Sequence, residues 1–537
     1  MQEILLSLLL FTPLLAALVS LFFPATAIQL FRYTTLVANI AQAFFLILLL
    51  GSYQNSAGLQ FVEHQPWITM DLGSWGTLKA EYFIGIDGLS MPLVVLSVFI
   101  MLIATISSWT ILKNVKGYFI LLLILNTAII GSFVALDFLL FYLFFEFMLL
   151  PMFFLIALWG GPRKEYASIK FFLYTLLGSI LILIVMIGLN LSVHDPSISG
   201  QLVHSFNIIH MSSPINFISF SILDPHNAWQ IGLYNARQWA FLLLFFGFAI
   251  KLPMVPFHTW LPDAHVEAPT PISVILAALL LKVGGYGLAR IAFPIFPDAT
   301  IYFGGFIGVM GVISIIYGGL NALSSKDLKR LIAYSSISHM GFVLLGFASL
   351  TAEGVVGSIY QMFSHGIISA MLFLLAGVLY DRTNNRMIAN YSGLYSKMPW
   401  YAVMIIVAFF ASMGLPGFSG FIAEIMVFLG AFKSNSVQGP LHESIAITAT
   451  LGLVLAAAYY LWTLQRMFFG PFNLKGDITS DQMFDLNKRE FIMLIPLAAA
   501  ALFFGIYPQP MIAIIDPFAK HFAEFVIGAG KSLTLNP

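Results

Sequence analysis

Six ionisable side chains lie inside long apolar stretches of the sequence, where a charge costs free energy and suggests a function. They are Glu146, Lys251, Lys282, His339, His365 and Glu424. Burial weakens the binding of a proton by lysine and strengthens its binding by a carboxyl group, and a nearby opposite charge has the reverse effect. The proton affinity of a buried Glu–Lys pair therefore depends on the distance between the two side chains. Histidines titrate nearer neutral pH. These residue types predict proton transfer through the membrane interior. The structural alternatives are ion pairs that only orient helices and, for the two histidines, hydrogen bonds that only pack helices.

The composition restricts the chain to one class of protein. Of its 537 residues, 60% are hydrophobic and 9% are charged, which is typical of an integral membrane protein. The 24 basic and 24 acidic residues cancel, which excludes nucleic-acid binding as a main role. Without cysteine, the chain cannot supply thiolate ligands to an iron–sulfur cluster, form a disulfide or attach a c-type haem. The sequence also lacks the glycine-rich motifs for ATP and dinucleotides.

The hydropathy pattern predicts an all-α polytopic membrane protein with about fourteen transmembrane helices, since each helix needs roughly 20 apolar residues. The first stretch is interpreted as a retained helix rather than a signal peptide, because Glu3 and no basic residue precedes it. The predicted spans are residues 4–23, 30–50, 88–111, 117–134, 136–158, 166–191, 238–259, 271–293, 300–323, 328–350, 354–380, 400–430, 443–469 and 490–515.

The basic residues predict the orientation of the chain. Loops that follow odd-numbered helices carry most of the Lys and Arg residues, among them Lys326, Lys329 and Arg330. Because basic residues accumulate on the cytoplasmic side, both termini are predicted to face outside. The outer connections at residues 51–87 and 192–237 are polar, and we expect them to form caps rather than domains.

Helices seven and twelve are predicted to be broken. The seventh contains Pro253 and Pro256, and the twelfth contains Gly414, Pro416 and Gly417. Proline removes a backbone donor and glycine tolerates unwound backbone. Broken helices five apart indicate two inverted five-helix repeats, helices four to eight and nine to thirteen. The predicted divisions are residues 1–116 with three helices, 117–293 and 294–470 with the two repeats, and 471–537 with a cytoplasmic loop, helix fourteen and a tail.

The segment after the first break contains four potential metal ligands, His258, Asp263, His265 and Glu267. These side chains could gather a metal ion. A polar re-entry loop that caps helices seven and eight is the preferred interpretation, because prolines in the segment oppose the regular helix that would place the ligands on one face.

Three stretches carry a resemblance to a known family. Residues 251–271 read KLPMVPFHTWLPDAHVEAPTP, residues 321–341 read NALSSKDLKRLIAYSSISHMG, and residues 363–366 read FSHG. They closely resemble the antiporter-like subunits of respiratory complex I, the proton-pumping NADH:quinone oxidoreductase. The likeness covers roughly residues 85–470. This family is related to subunits of multi-subunit Na+/H+ antiporters.

The resemblance implies a role for each buried charge. Glu146 and Lys251 correspond to the switching pair, Lys282 continues the central proton path, and His339 and His365 extend it. The twelfth helix separates branches of the family, because the L and N branches usually have Lys where the M, or chain-4, branch has Glu. The glutamate at position 424 therefore implies the M branch and the final proton-loading position.

The same resemblance implies the setting in which the chain works. Its partners would be other membrane-arm subunits of complex I, including L-type and N-type neighbours, together with the lipid bilayer and protons. No cofactor is expected in this chain, and NADH, FMN, iron–sulfur clusters and quinone are expected in partner subunits. The expected location is the bacterial inner membrane.

Three alternatives remain open at the level of sequence. The first is a subunit of a Na+/H+ antiporter complex that uses the same charges, against which Glu424 argues. The second is the membrane subunit of a related hydrogenase or formate-linked complex. The third is a b-haem protein with His339 and His365 as axial ligands.

Overall fold

The computed structural model describes residues 4–71, 73, 76–198, 202–226, 229–437, 439–476 and 478–535. Within these residues, twelve helices are long and apolar enough to cross a membrane. Leu5–Leu21 and Pro399–Ser412 are shorter apolar helices. The all-α membrane class is therefore confirmed, while the count of fourteen and the two inverted repeats stay predictions.

The N-terminal part of the chain combines membrane helices with a β-hairpin. The hairpin lies in the predicted cap at residues 51–87, and its two strands pair antiparallel, with Asp71 opposite Thr77. The cap therefore contains strands that the all-α prediction did not include. The elements are α1 (Leu5–Leu21), α2 (Ile28–Ser52), β1 (Gln60–Asp71), β2 (Thr77–Ile86), α3 (Ser90–Ser107) and α4 (Val115–Val134).

In the central part, several of the predicted transmembrane helices are divided into shorter helices. Two π-helical segments, Leu276–Leu280 and Leu288–Ala292, join three short helices into the single span Thr270–Ile295. The elements are α5 (Phe138–Phe147), α6 (Leu149–Trp159), α7 (Lys164–Ser192), β3 (Val203–Ser205), α8 (Ile208–Ser212), β4 (Gln230–Ile231), β5 (Tyr234–Asn235), α9 (Ala236–Lys251), α10 (Trp260–Glu267), α11 (Thr270–Ile275), α12 (Leu281–Gly287) and α13 (Phe293–Ile295).

The C-terminal part contains the longest helix of the described residues. Residues 352 to 383 form a helix whose apolar window is entirely enclosed by other elements. The elements are α14 (Pro297–Ser324), α15 (Leu328–Ala348), α16 (Ala352–Thr383), β6 (Tyr391–Ser392), α17 (Pro399–Ser412), α18 (Ser419–Lys433), α19 (Glu443–Ala449), α20 (Leu451–Phe468), β7 (Asn473–Leu474), α21 (Lys488–Ile506) and α22 (Gln509–Leu535).

Both predicted breaks are present. The chain leaves α9 after Lys251 and resumes helix at Trp260, and it leaves α17 after Ser412 and resumes at Ser419. A third interruption, which the sequence analysis missed, separates α5 from α6 at Met148. Pro151 explains it, because this residue has no N–H to donate to the carbonyl one turn earlier.

The segment after the first break differs from the prediction. The expected re-entry loop is the helix α10, despite its prolines. Pro262 lies in the first turn of α10, where the missing N–H would have no intrahelical partner in any case. The prolines therefore set the start of the helix rather than preventing it.

The C-terminal boundary also needs correction. The span predicted at residues 490–515 ends at Ile506, and the predicted tail forms the separate helix α22. Pro508 at the junction cannot continue a helical hydrogen-bond ladder. Met511, Ile515 and Phe518 of α22 are buried, so one face of this helix packs against the membrane helices.

The cap around the β-hairpin fixes the beginning of the helix that carries Glu146. Asp137 caps α5 by accepting a hydrogen bond from Leu140 N, and its other oxygen accepts one from Glu81 N of β2.

In the same cap, Lys79 Nζ lies 2.6 Å from Glu81 Oε1 and 2.9 Å from Asp195 Oδ2. Burial alone would raise the pKa of Asp195, but hydrogen bonds from Ser197 and Lys79 hold it at about 2.

We expect Lys79→Met to destabilise the cap around the β-hairpin. The variant leaves two carboxylates, with side chains only 5% and 1% exposed, without their lysine partner. Removing one member of such a buried ion pair costs about 3 kcal/mol, so the thermal midpoint of the purified chain should fall. Because the folded pKa of Asp195 is depressed, this stabilisation is complete above about pH 4 and is lost as the pH falls toward 2.

Lys79→Arg keeps the charge and is the matched control. An unchanged midpoint for Lys79→Met at neutral pH would show that the ion pair does not stabilise the cap.

Candidate functional site

Four of the six predicted residues form one continuous line. Lys282 Nζ lies 2.7 Å from His365 Nδ1, the rings of His365 and His339 are 5.4 Å apart between centroids, and His339 Nδ1 lies 3.5 Å from Glu424 Oε1. The four residues are at most 4% exposed. Side chains from α12, α15, α16 and α18 therefore meet inside the protein as a row of groups that can each bind a proton.

Lys282 is held by its own span as well as by the histidine. Its ammonium group donates to the carbonyl of Ala277 at 2.6 Å, and Ala277 belongs to the π-helical segment before α12. Gly284 lets this helix approach the end of α9 closely, since a Cβ there would lie 2.7 Å from Leu252 N. The ammonium group of Lys282 therefore has two hydrogen-bond partners among the described residues, the Ala277 carbonyl and His365, and neither is a carboxylate.

Glu424 lies beside the break between α17 and α18. Gly414 in this break has a φ of +71°, a conformation that favours glycine, and a Cβ at this position would collide with Glu424 Oε2. The glycine thus has two functions, because it permits the turn and leaves room for the carboxylate.

A small cavity connects the two histidines with Glu424. Its volume is about 10 Å³, which is room for about one water molecule. The lining residues are His339, Gln361, Ser364, His365, Ile368, Ala411, Ser412, Gly420 and Glu424. The polar lining is suited to a water molecule that would bridge the histidines and the carboxylate.

The two remaining residues, Glu146 and Lys251, are neighbours that do not form an ion pair among the described residues. Lys251 is 2% exposed, and its Nζ donates to the carbonyl of Phe145 at 3.1 Å and lies 3.5 Å from the centre of the Phe145 ring. Glu146 Oε2 is buried and has no hydrogen-bond partner among the described residues. Within that part of the chain, no ion pair joins the two residues, and no hydrogen bond connects Lys251 with Lys282.

Three polar residues at the site were missed by the sequence analysis. Gln361 Nε2 lies 3.2 Å from His339 Nδ1, Ser412 Oγ lies 3.2 Å from His339 Nε2, and Tyr460 OH lies 2.6 Å from Ser412 Oγ. Gln361 could have been found from its position one helical turn before His365. Ser412 and Tyr460 carry no comparable signal, because hydroxyl groups are common in membrane helices.

The four potential metal ligands near the first break do not converge on a common point. His258 packs edge-on against Tyr317, Asp263 pairs with Lys170 at 2.7 Å, and Glu267 accepts a hydrogen bond from the Arg163 backbone. The fourth side chain, His265, is fully buried and stacks on the ring of Phe373 at 4.3 Å. Each residue has a separate structural neighbour.

The chain matches a known protein family. The model of the NADH:quinone oxidoreductase/Mrp antiporter transmembrane family matches residues 135–450. NADH-quinone oxidoreductase subunit M of Rhodobacter capsulatus is 40% identical over 494 residues, which cover 92% of this chain and 90% of the relative. NADH-ubiquinone oxidoreductase chain 4 of Chondrus crispus is 39% identical over 519 residues, with 96% of both chains covered.

Solved structures share the fold. A chain of respiratory complex I from Thermus thermophilus with bound NADH is similar with a TM-score of 0.78 and 27% identity, covering 98% of this chain and 100% of that chain. A chain of the membrane-bound sulfane sulfur reductase, an archaeal respiratory membrane complex, is similar with a TM-score of 0.75 and 21% identity, covering 98% of this chain and 99% of that chain. At this level of identity, the second similarity shows a shared fold alone. The extent of the sequence matches shows that this chain belongs to the NADH:quinone oxidoreductase/Mrp antiporter transmembrane family, in the branch of subunit M or chain 4.

Proposed function

We propose that this chain translocates protons as a membrane-arm subunit of an NADH–quinone oxidoreductase. The observation that carries the proposal is the buried line from Lys282 through His365 and His339 to Glu424. Proton transfer requires donors and acceptors within hydrogen-bond reach or one water apart, in a place that excludes bulk water. The names of relatives that match at least 90% of this chain support the redox-linked complex as its setting.

A proton that Lys251 releases enters the buried line at Lys282. Its ammonium group can donate to His365 Nδ1 at 2.7 Å, which leaves a neutral amine and an imidazolium. The next transfer, to His339, crosses 5.4 Å between ring centres and requires a bridge such as one water molecule in the adjoining cavity. His339 then passes a proton to the Glu424 carboxylate, which loads and releases it.

Glu146 and Lys251 form the switch of this proposed mechanism. In this open arrangement, the Phe145 carbonyl is the only hydrogen-bond partner of the Lys251 ammonium among the described residues, and the ammonium faces an aromatic ring. Movement of the Glu146 carboxylate toward Lys251 would hold the proton more strongly, and movement away would favour its release. A change in a neighbouring subunit can thereby control proton transfer by moving one side chain.

The remaining parts of the proposal concern the assembly. Redox chemistry takes place in partner subunits that hold NADH, FMN, iron–sulfur clusters and quinone, since this chain has no cysteine for a cluster. L-type and N-type antiporter-like subunits are the proposed neighbours. The chain lies in the bacterial inner membrane with both termini outside, as the distribution of basic residues favours.

Inverted membrane vesicles test the function with Glu146→Gln. We expect both NADH-driven proton uptake and NADH oxidation to fall by about tenfold or more, with Na+ present or absent, because the amide cannot form the ion pair that switches Lys251. Glu443→Gln changes an exposed glutamate and should leave both rates unchanged. Proton movement driven by a Na+ gradient without any response to NADH would instead favour the antiporter function.

Gly414→Ala tests the site at Glu424. The added methyl group displaces the carboxylate that His339 faces, so the proton-pumping rate should fall by roughly tenfold. Gly417→Ala is the matched control, because its φ is also positive at +97° but its Cβ position contacts nothing within 4 Å. Equal losses in the two variants would attribute the effect to backbone strain and remove the carboxylate contact from the mechanism.

A further inference from the structure

The two ring nitrogens of His339 face different groups. Nδ1 lies 3.5 Å from Glu424 Oε1 and 3.2 Å from Gln361 Nε2. Nε2 lies 3.2 Å from Ser412 Oγ. The proton path proposed above uses only Nδ1 for the transfer to Glu424, so the contact at Nε2 has no role in it.

The contact at Nε2 begins a line of buried hydroxyl groups. Ser412 Oγ lies 2.6 Å from Tyr460 OH, Tyr460 OH donates to Ser335 Oγ at 3.0 Å, and Ser335 Oγ donates to the Ile332 carbonyl at 2.8 Å. The three hydroxyl-bearing residues are at most 4% exposed. The line therefore connects α17, α20 and α15 in a region shielded from bulk water.

The hydroxyl protons along this line determine the tautomer of His339. Tyr460 has a single O–H, which it donates to Ser335, so Ser412 must be the donor in the contact with Tyr460. Ser412 then has no proton left for the histidine and accepts one from Nε2–H. In this tautomer Nδ1 carries the lone pair, which accepts a hydrogen bond from Gln361 Nε2 and lies beside Glu424.

We propose that Tyr460 is a positioning residue for proton transfer, which acts through Ser412 to hold the proton of neutral His339 on Nε2. The inference rests on the proposed proton path. When the imidazolium gives its proton to Glu424, the Nδ1–H bond breaks and a carboxyl O–H bond forms. His339 is left neutral with Nε2–H in place, and Nδ1 can accept the next proton.

Packing supports this role for Tyr460. Its ring lies 4.7 Å from that of Phe409 and 4.5 Å from that of Tyr459, which fixes the position of the hydroxyl group. Ser412 is the last residue of α17, immediately before the break that places Glu424. The hydroxyl line thus connects the orientation of the histidine with the backbone at the break.

Tyr460→Phe tests the inference in the assembled complex, because it keeps the ring and removes only the hydroxyl. In inverted vesicles, NADH-driven proton pumping should slow by about two- to tenfold, the effect of one lost hydrogen bond, and its solvent deuterium isotope effect should increase. Tyr401→Phe is the control, since Tyr401 is equally buried and its hydroxyl donates to the Leu375 carbonyl away from this line. The control should keep the wild-type rate and isotope effect.

Variants of Ser412 separate positioning from packing. Ser412→Ala should reproduce the loss, Ser412→Thr should restore pumping because it keeps the hydroxyl, and Ser412→Ala combined with Tyr460→Phe should be no slower than either single variant. A Thr variant as slow as the Ala variant, or equal losses in Tyr460→Phe and Tyr401→Phe, would overturn the inference.

Glu424→Gln distinguishes this inference from the proposed function. Loss of pumping in Glu424→Gln with normal pumping in Tyr460→Phe would overturn the role of Tyr460 alone. Normal pumping in Glu424→Gln would overturn the proton path itself.

Discussion

The hydrogen bonds of Lys282 are the interaction around which the rest of the site is arranged. An ammonium group inside a membrane protein is unfavourable by several kcal/mol unless its protons find partners. The apolar window of the span Thr270–Ile295 is completely buried, so this lysine cannot extend to the lipid headgroups. Its partners are the Ala277 carbonyl and a histidine nitrogen. A neutral partner holds the proton less strongly than a carboxylate would, which keeps the proton transferable.

The interruptions in the helices place the other charges. Lys251 is the last residue of α9, where the partial negative charge of the helix end stabilises a cation. Glu146 lies in the last turn of α5, where the same effect opposes a carboxylate. Unpaired backbone groups at the interruptions are tolerated only against protein or internal water. The breaks and the charges therefore depend on each other, since the unwound backbone supplies polar surroundings that a continuous helix lacks.

The cap around the β-hairpin connects one end of the membrane helices with this interior. Asp137 joins β2 to the first turn of α5, and Glu146 lies at the other end of that short helix. The carboxylates that surround Lys79 tie β2 to the segment near Asp195. A displacement of the cap would consequently move the start of α5 and, with it, the carboxylate of the proposed switching pair.

The sequence by itself determined the membrane class, most of the helices and the buried charges from which the proposed proton path is built, because apolar runs, prolines and isolated charges are local features. The sequence analysis did not predict the break before Leu149, the helix from Trp260 or the helix after Pro508, because a proline alone does not determine whether a helix is interrupted, begins or resumes there. Only the tertiary structure decided that Lys282 meets His365, 83 positions away, and that Ser412 and Tyr460 complete the surroundings of His339. Proton transfer depends on distances of about 3 Å between atoms of different helices, and those distances are set by packing rather than by the pattern of residues along the chain.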